Sequence, residues 1–321
     1  MQKIISVSVL FIAQLLVFQS AQAFPDRPVK LVVGSPAGGP PDIMARLLSD
    51  KMGAALGQPI IVENRPGGAG GTIAAKSVIA AEPDGYTLMM GSTSSVLIAP
   101  LIHKSAGYSS DTFTPVAGLS ESTEVLAVNP SVAAKSVAEL VSLAKSQPGI
   151  LRYASAGVGT LPHIEGELLN ARAQIEIRHV PYRGGGPGLT GLLGGEVHMF
   201  FSALTQMLPY IRGGQLRGLA VTSGTRSALA PEIPTMVESG FDQFVTASIN
   251  FIVAPPGTPI AVRKQLSEAV DRALASVEVK EAFAKIGAQA RPATPEQLAS
   301  YLAQQQVLWT RIVGATRISV D

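Results

Sequence analysis

Twice along this chain a short apolar run passes through a glycine-rich turn into a segment of helical period, and no other feature restricts the fold as strongly. The first instance begins at residues 30–33 and turns at Gly34-Ser35-Pro36-Ala37-Gly38-Gly39-Pro40-Pro41-Asp42. It continues with Met44, Leu48, Met52 and Leu56 at four-residue spacing, with Ile43 and Leu47 beside them on one helical face. The second begins at residues 151–154, turns at Ser155-Ala156-Gly157-Val158-Gly159-Thr160-Leu161-Pro162-His163, and enters a helix over 164–171. Glycine lets backbone approach a ligand closely, and the unpaired N–H groups at a helix start, with their partial positive charge, favour an anion. One such turn says little, because many strand-to-helix connections need glycine. Two in successive α/β units read as two walls of one cleft.

The rest of the chain repeats the alternation. Residues 59–63 form a second apolar run, and Asn64-Arg65-Pro66-Gly67-Gly68-Ala69-Gly70-Gly71 is a flexible turn into a helix over 72–80. A third strand over 86–90 ends at Gly91-Ser92-Thr93-Ser94-Ser95. Hydroxyls at the carboxyl end of a strand are placed to donate to a ligand in open α/β sheets, and Ser92 or Ser94 serves equally well as a helix cap. Asp42 has the same two readings: a ligand acceptor, or the N-cap of the helix that follows it. Further strands are expected at 124–128, 151–154, 177–180, 197–201, 216–222 and 251–254. Ser136-Val137-Ala138-Glu139 and Thr294-Pro295-Glu296-Gln297 fit capping boxes, and Thr258-Pro259 fits an N-cap followed by proline. Beyond residue 254 nearly all helix is expected. Strands and helices in alternation, with short connections, predict an α/β fold with mainly parallel sheets.

The ends and the charge bound the setting. Lys3, an apolar run over 4–18 and Ala21-Gln22-Ala23 have the form of a secretory signal peptide cleaved after Ala23, so the mature chain is expected to begin at Phe24 in the periplasm. The chain has no cysteine, which excludes disulfides, thiolate metal sites and cysteine nucleophiles, and suits a bacterial-type periplasm. A formal net charge of +2, with the charged residues dispersed, leaves no basic field for nucleic acid.

Catalytic patterns are missing. Gly34-Ser35-Pro36-Ala37-Gly38 puts proline where a nucleophile elbow needs serine, and His103, His163, His179 and His198 show no triad order. The glycines at 64–71 do not make a dinucleotide fingerprint, because Ile73 stands three residues after Gly70. His163 and Glu167, one turn apart, lack a third metal ligand and read as a solvated face. An exported hydrolase is therefore the remote alternative, and neither cofactor nor metal is expected.

Val32-Val33-Gly34 with Gly38-Gly39 and Asp42-Ile43, then Val62-Glu63-Asn64-Arg65-Pro66-Gly67 and Pro83-Asp84-Gly85-Tyr86-Thr87-Leu88, belong to a longer ordered series. It continues through Tyr153-Ala154-Ser155, Gly159-Thr160 with His163, His179-Val180-Pro181-Tyr182-Arg183-Gly184-Gly185, Leu192-Leu193-Gly194-Gly195 and Leu219-Ala220-Val221-Thr222. With these motifs the whole mature chain resembles the periplasmic substrate-binding proteins of the tripartite tricarboxylate transporter family, the Bug-type receptors. The resemblance implies a two-domain, type II Venus-flytrap α/β fold with two crossover segments, near 122–128 and 247–253. Residues 24–124 plus 250–321 would form one lobe and residues 125–249 the other.

It further implies a monomeric receptor that holds a small organic carboxylate by loop backbone, hydroxyls and water, and delivers it to a membrane permease. Signalling to a membrane sensor is the alternative use of the same closure. By position, the first grip comprises Ser35, Ala37, Gly38 and Asp42, the second Gly157, Val158, Gly159 and Thr160, with Ser92, Thr93, Ser94 and Ser202 completing the set. Pro40, Pro41, Val158, Leu161 and Pro162 depart from polar or small residues usual in the family, and Gly191 and His198 stand where aspartate is frequent. The loops at 34–42, 91–95 and 157–162 carry no arginine or lysine, so a carboxylate is expected to be held by N–H groups, hydroxyls and water unless Arg183 or Arg212 reaches in. The replaced polar positions make the expected ligand a less polar acid than citrate, such as an aliphatic or aromatic monocarboxylate or dicarboxylate.

Overall fold

The computed structural model describes residues 24–286, 288–316 and 318, so the expected signal segment at 1–23 lies outside the described residues. The first α/β unit is β1 (Val29–Val33) and α1 (Pro40–Leu56), followed by β2 (Ile60–Asn64), α2 (Thr72–Ile79) and β3 (Thr87–Ser92). β1 is buried on both faces. Val29, Leu31 and Val33 pack with Met44, Leu48 and Met52 of α1, while Val32 packs with Ala74, Ala75 and Val78 of α2. Ile43 lies off the buried stripe of α1 and is 36% exposed, so the apolar face is narrower than the spacing predicts.

β3 leads into a π-helical turn over Thr93–Ile98 and a short α3 (Ala99–Ile102), then β4 (Thr114–Ser122). β5 (Glu124–Val128) opens the second unit, which continues through α4 (Val137–Ser146), β6 (Arg152–Ser155), α5 (Leu161–Ala173), β7 (Arg178–Pro181), α6 (Gly185–Leu193), β8 (Met199–Ala203), α7 (Leu204–Arg212) and β9 (Arg217–Val221). The chain then returns through β10 (Ser248–Ala254), α8 (Ile260–Ala275), α9 (Val277–Lys285), β11 (Gln289–Ala293) and α10 (Pro295–Ala315). Two sheets result, ordered β11-β4-β10-β3-β1-β2 and β7-β6-β8-β5-β9.

Both sheets are mixed, which corrects the expectation of mainly parallel pairing. β1 runs parallel to β2 and β3, and β6 parallel to β7 and β8, but β10 is antiparallel to β3 and β4, β11 to β4, and β5 to β8 and β9. The cause is the double crossing. The chain leaves the first sheet at the end of β4 and re-enters at the start of β10, with Ser122 facing Ser248, so the two strands must run in opposite directions. β4 and β11 had no strand signal, since β4 contains Pro115 and Gly118, and β11, at a sheet edge, contains Pro292 and no β-branched residue.

Helix starts differ from expectation in three places. α1 begins at Pro40 with Gly39 as its N-cap, which puts Asp42 inside the first turn. α8 is capped at Pro259, and the Thr258 hydroxyl instead donates to the Pro255 carbonyl at 2.9 Å. α5 begins at Leu161, so Leu161-Pro162-His163 belongs to the helix. The capping box of α10 forms in both halves through Thr294 and Gln297. At α4 only half forms: Ser136 Oγ accepts from the Glu139 N–H at 3.1 Å, while the Glu139 carboxylate accepts from Lys135 N–H.

Apolar packing runs between the sheets. Leu302, Trp309, Ile312 and Val313 of α10 share one cluster with Leu161, Ile164 and Leu168 of α5 and Phe201 of β8. Among the described residues no helix is long and apolar enough to cross a membrane.

Candidate functional site

The turns at the carboxyl ends of β1, β2, β3 and β6 meet with almost nothing between their backbones. A Cβ on Gly34 would lie 3.4 Å from Gly71 Cα, and one on Gly71 3.4 Å from Ser95 Cβ. Gly70, at φ +67°, approaches the other unit: a Cβ there would stand 3.0 Å from both Ser94 O and Gly159 O. Both the backbone conformation and the lack of space demand glycine. At the same point the Leu161 N–H donates to Ser94 Oγ at 3.1 Å. Leu161 is the first residue of α5, so this amide is one of the donors that a helix start leaves without an intrahelical acceptor.

In the first grip, Ala37 and Gly38 are exposed and Ser35 is half-buried. Asp42 is buried at 3% exposure. Its Oδ2 accepts from the Gly38 N–H at 2.9 Å and from Arg46 Nε at 3.1 Å, and Oδ1 lies 3.0 Å from Arg46 Nη2. Burial raises the Asp42 pKa, but Arg46, the Gly38 N–H and Asn64 together outweigh it and hold the carboxyl below its ordinary range. Asn64 accepts from Arg46 and donates to the Ser35 carbonyl, each at 3.1 Å. Asp42 thus staples the turn and is not the N-cap of α1.

The hydroxyl turn divides its work. Ser92 caps the π-helical turn, its Oγ accepting from the Ser95 N–H at 3.2 Å. Thr93, 1% exposed, donates to the Ala247 carbonyl and accepts from the Ile249 N–H, so its hydroxyl holds the returning crossover. Ser94 is the member that reaches the opposite wall. In the second grip Gly157 and Gly159 have φ of +129° and +78°, and Thr160 Oγ1 donates to the Gly157 carbonyl at 2.7 Å. Val158 is half-buried between them. Ser202, buried near the end of β8, donates to Gln206 Oε1 at 3.0 Å.

The solvated reading of His163 and Glu167 is corrected. His163 is 7% exposed and stacks on His179, while Glu167 accepts from the Tyr153 hydroxyl at 2.5 Å. Among the described residues no group of three or more His, Cys, Asp or Glu is placed to hold a metal. A second polar cluster, unforeseen from the sequence, joins the two crossovers. Glu165 of α5 accepts from the Thr246 hydroxyl at 2.5 Å, and Glu124 begins β5. The available signal was Glu165 itself, a carboxyl on the stripe formed by Leu161, Ile164, Leu168 and Leu169. A cavity of about 250 Å³ lies away from the turns, between α10 and β4, β10 and β11. Its Arg291 is engaged by Glu121 and the face of Tyr301.

Two mixed sheets joined by two crossovers, with glycine and hydroxyl turns meeting between them, define a two-domain solute-binding protein. The chain belongs to the tripartite tricarboxylate transporter family of receptors, whose sequence model matches residues 44–318. It is 36% identical over 299 residues to protein BugT of Bordetella pertussis, covering 92% of this chain and 91% of that one. Among solved structures it is similar to MatC from Rhodopseudomonas palustris with bound malate, at 34% identity and TM-score 0.83, covering 90% and 100% of the two chains. An R. palustris protein solved with adipate matches at 32% identity and TM-score 0.83, covering 92% and 99%. Members of the family are solute-binding receptors.

Proposed function

We propose that the protein is exported to the periplasm with cleavage after Ala23, closes over a small organic carboxylate, and presents it to a membrane permease. The lobes in this reading are residues 24–124 plus 250–321 and residues 125–249. The ligand contacts are Ser35, Ala37, Gly38, Ser92, Ser94, Gly157, Val158, Gly159, Thr160 and Ser202, with Asp42 and Thr93 holding their turns in place.

The observation that carries this reading is the meeting of the two walls at a helix start, where the Leu161 amide of α5 donates across the cleft to Ser94. The partial positive charge of that helix start stabilises an anion without any arginine or lysine in the turns at 34–42, 91–95 and 157–162. The acids held by the solved relatives, malate and adipate, are of the size and charge this grip suits. Leu161 turns into the core, while half-buried Val158 and Pro162 add apolar surface, which favours an aliphatic acid such as adipate over citrate.

Thermal unfolding with malate, adipate, citrate and the neutral diamide of adipate tests the reading. Ligand at about 100 times its dissociation constant adds about 2.7 kcal/mol of stability. Stabilisation by the diacid and not by the diamide is expected. Equal stabilisation by both refutes the anion grip, and response to citrate alone refutes the preference for a less polar acid.

A further inference from the structure

We propose that His163 and His179 are positioning residues of the carboxylate grip: stacked behind the 157–160 turn, each imidazole fixes one of its two glycines. This rests on the binding function proposed above. The two rings lie with centroids 4.1 Å apart and planes 19° from parallel, and Tyr153 continues the stack on His179 at 4.9 Å. His163 Nδ1 accepts from the Gly159 N–H at 3.2 Å. His179 Nε2 lies 2.6 Å from Ser155 Oγ, which is itself 3.1 Å from both the amide and the carbonyl of Gly157. Each histidine therefore reaches one glycine, directly or through one serine.

The turn needs such support. Gly157 and Gly159 both sit at positive φ, where glycine is free to move and costs the most entropy to fix. With Gly157 N–H held by Ser155, Gly159 N–H by His163 and Thr160 N–H by the Gly157 carbonyl, the Val158 N–H is the amide within residues 157–160 without a protein acceptor among the described residues. The histidines thus draw the flanking amides back into the protein and leave the middle one for the ligand. Apolar side chains would fill this space at lower cost, because buried imidazoles must be hydrogen-bonded. Their presence is explained by the bonds they make.

Acceptance of a backbone N–H at Nδ1 requires neutral His163 with its proton on Nε2. Burial holds His163 down at about 4, and burial together with the neighbouring His163 holds His179 at about 3, so both rings are neutral near pH 7. The titratable groups packed against the stack are Tyr153 from β6 and Glu167 from α5, bonded to each other and not to the imidazoles.

The test compares His163→Leu with His163→Asn, whose amide oxygen can replace Nδ1 as acceptor, and His179→Leu with His179→Gln, whose amide can replace Nε2. Adipate and malate are the probes, read by calorimetry. Each leucine variant is expected to bind about tenfold more weakly, the loss of one or two hydrogen bonds, and each amide variant within about threefold of wild type. Independently of ligand, nitrogen chemical shifts should report an unprotonated Nδ1 on His163. Gly159 amide exchange should quicken in His163→Leu, while the Val128 amide of the core stays protected. Wild-type affinity in the leucine variants with unchanged Gly159 exchange overturns the proposal, as does a proton on His163 Nδ1. Wild-type protein that binds neither of these acids nor citrate refutes the proposed function, while tautomer and exchange still decide whether the histidines hold the turn.

Discussion

Replacing Glu165 with glutamine should flatten the dependence of stability on pH above neutrality. Glu165 is fully buried, with Oε1 accepting from Thr246 and Oε2 lacking a hydrogen-bond partner among the described residues. Burial pushes Glu124 up to about 8. Burial, and then the Glu124 charge, raise Glu165 well above the carboxylate range against the opposing Thr246 hydroxyl. Two carboxyls coupled in a low-dielectric site cannot both ionise cheaply, so the folded protein keeps protons that the unfolded chain releases near pH 4.5. Stability is therefore greatest below the unfolded value and falls as pH rises toward and through the folded one. Each proton held costs about 1.4 kcal/mol per pH unit across that interval. His163 and His179 oppose this: their folded values are depressed, so they add stability as pH rises toward about 6.5 and little above it. The interval from pH 7 to 8 therefore isolates the acids. Urea unfolding there should show wild-type stability dropping more steeply than that of Glu165→Gln by about 1 kcal/mol, the share of one proton. Glutamine keeps the acceptor for Thr246, which separates titration from loss of the hydrogen bond. Equal slopes in the two proteins, or wild-type stability unchanged from pH 7 to 8, refute a proton held at the crossovers.

Ser94→Ala removes the acceptor of the Leu161 N–H, and carboxylate affinity should fall about fivefold by calorimetry, the share of a hydrogen bond of about 1 kcal/mol. Gly70→Ala places a methyl 3.0 Å from Gly159 O and Ser94 O at a residue with φ +67°, so the wedged cleft should fail to contract. Small-angle scattering with saturating adipate checks it, and a radius of gyration that shrinks as in wild type counts against closure at this contact. Ser136→Ala should cost about 1 kcal/mol in urea unfolding through loss of the α4 cap, with affinity unchanged, because α4 touches neither grip.

Local pattern accounts for much of the fold. β1, α1 and the Thr294 capping box involve residues within one turn or one strand of each other, so spacing and residue type suffice to read them. It failed where neighbours elsewhere supplied the reason. β4 and β11 carry proline and glycine against strand propensity, and exist because β10 arrives antiparallel beside β4 and β11 closes the edge. The location of the two crossovers came from family resemblance, since no composition shift marks residues 122–124 or 246–248. Ser94 and Leu161 are 67 residues apart, and Glu165 and Thr246 are 81 apart. No sequence window contains either pair. The chain by itself determined that glycine turns would follow strands and feed helix starts. Only the tertiary structure decided which hydroxyl faces which amide, and that His163 and His179 stand behind one turn, because a hydrogen bond depends on distances of about 3 Å that chain separation does not set.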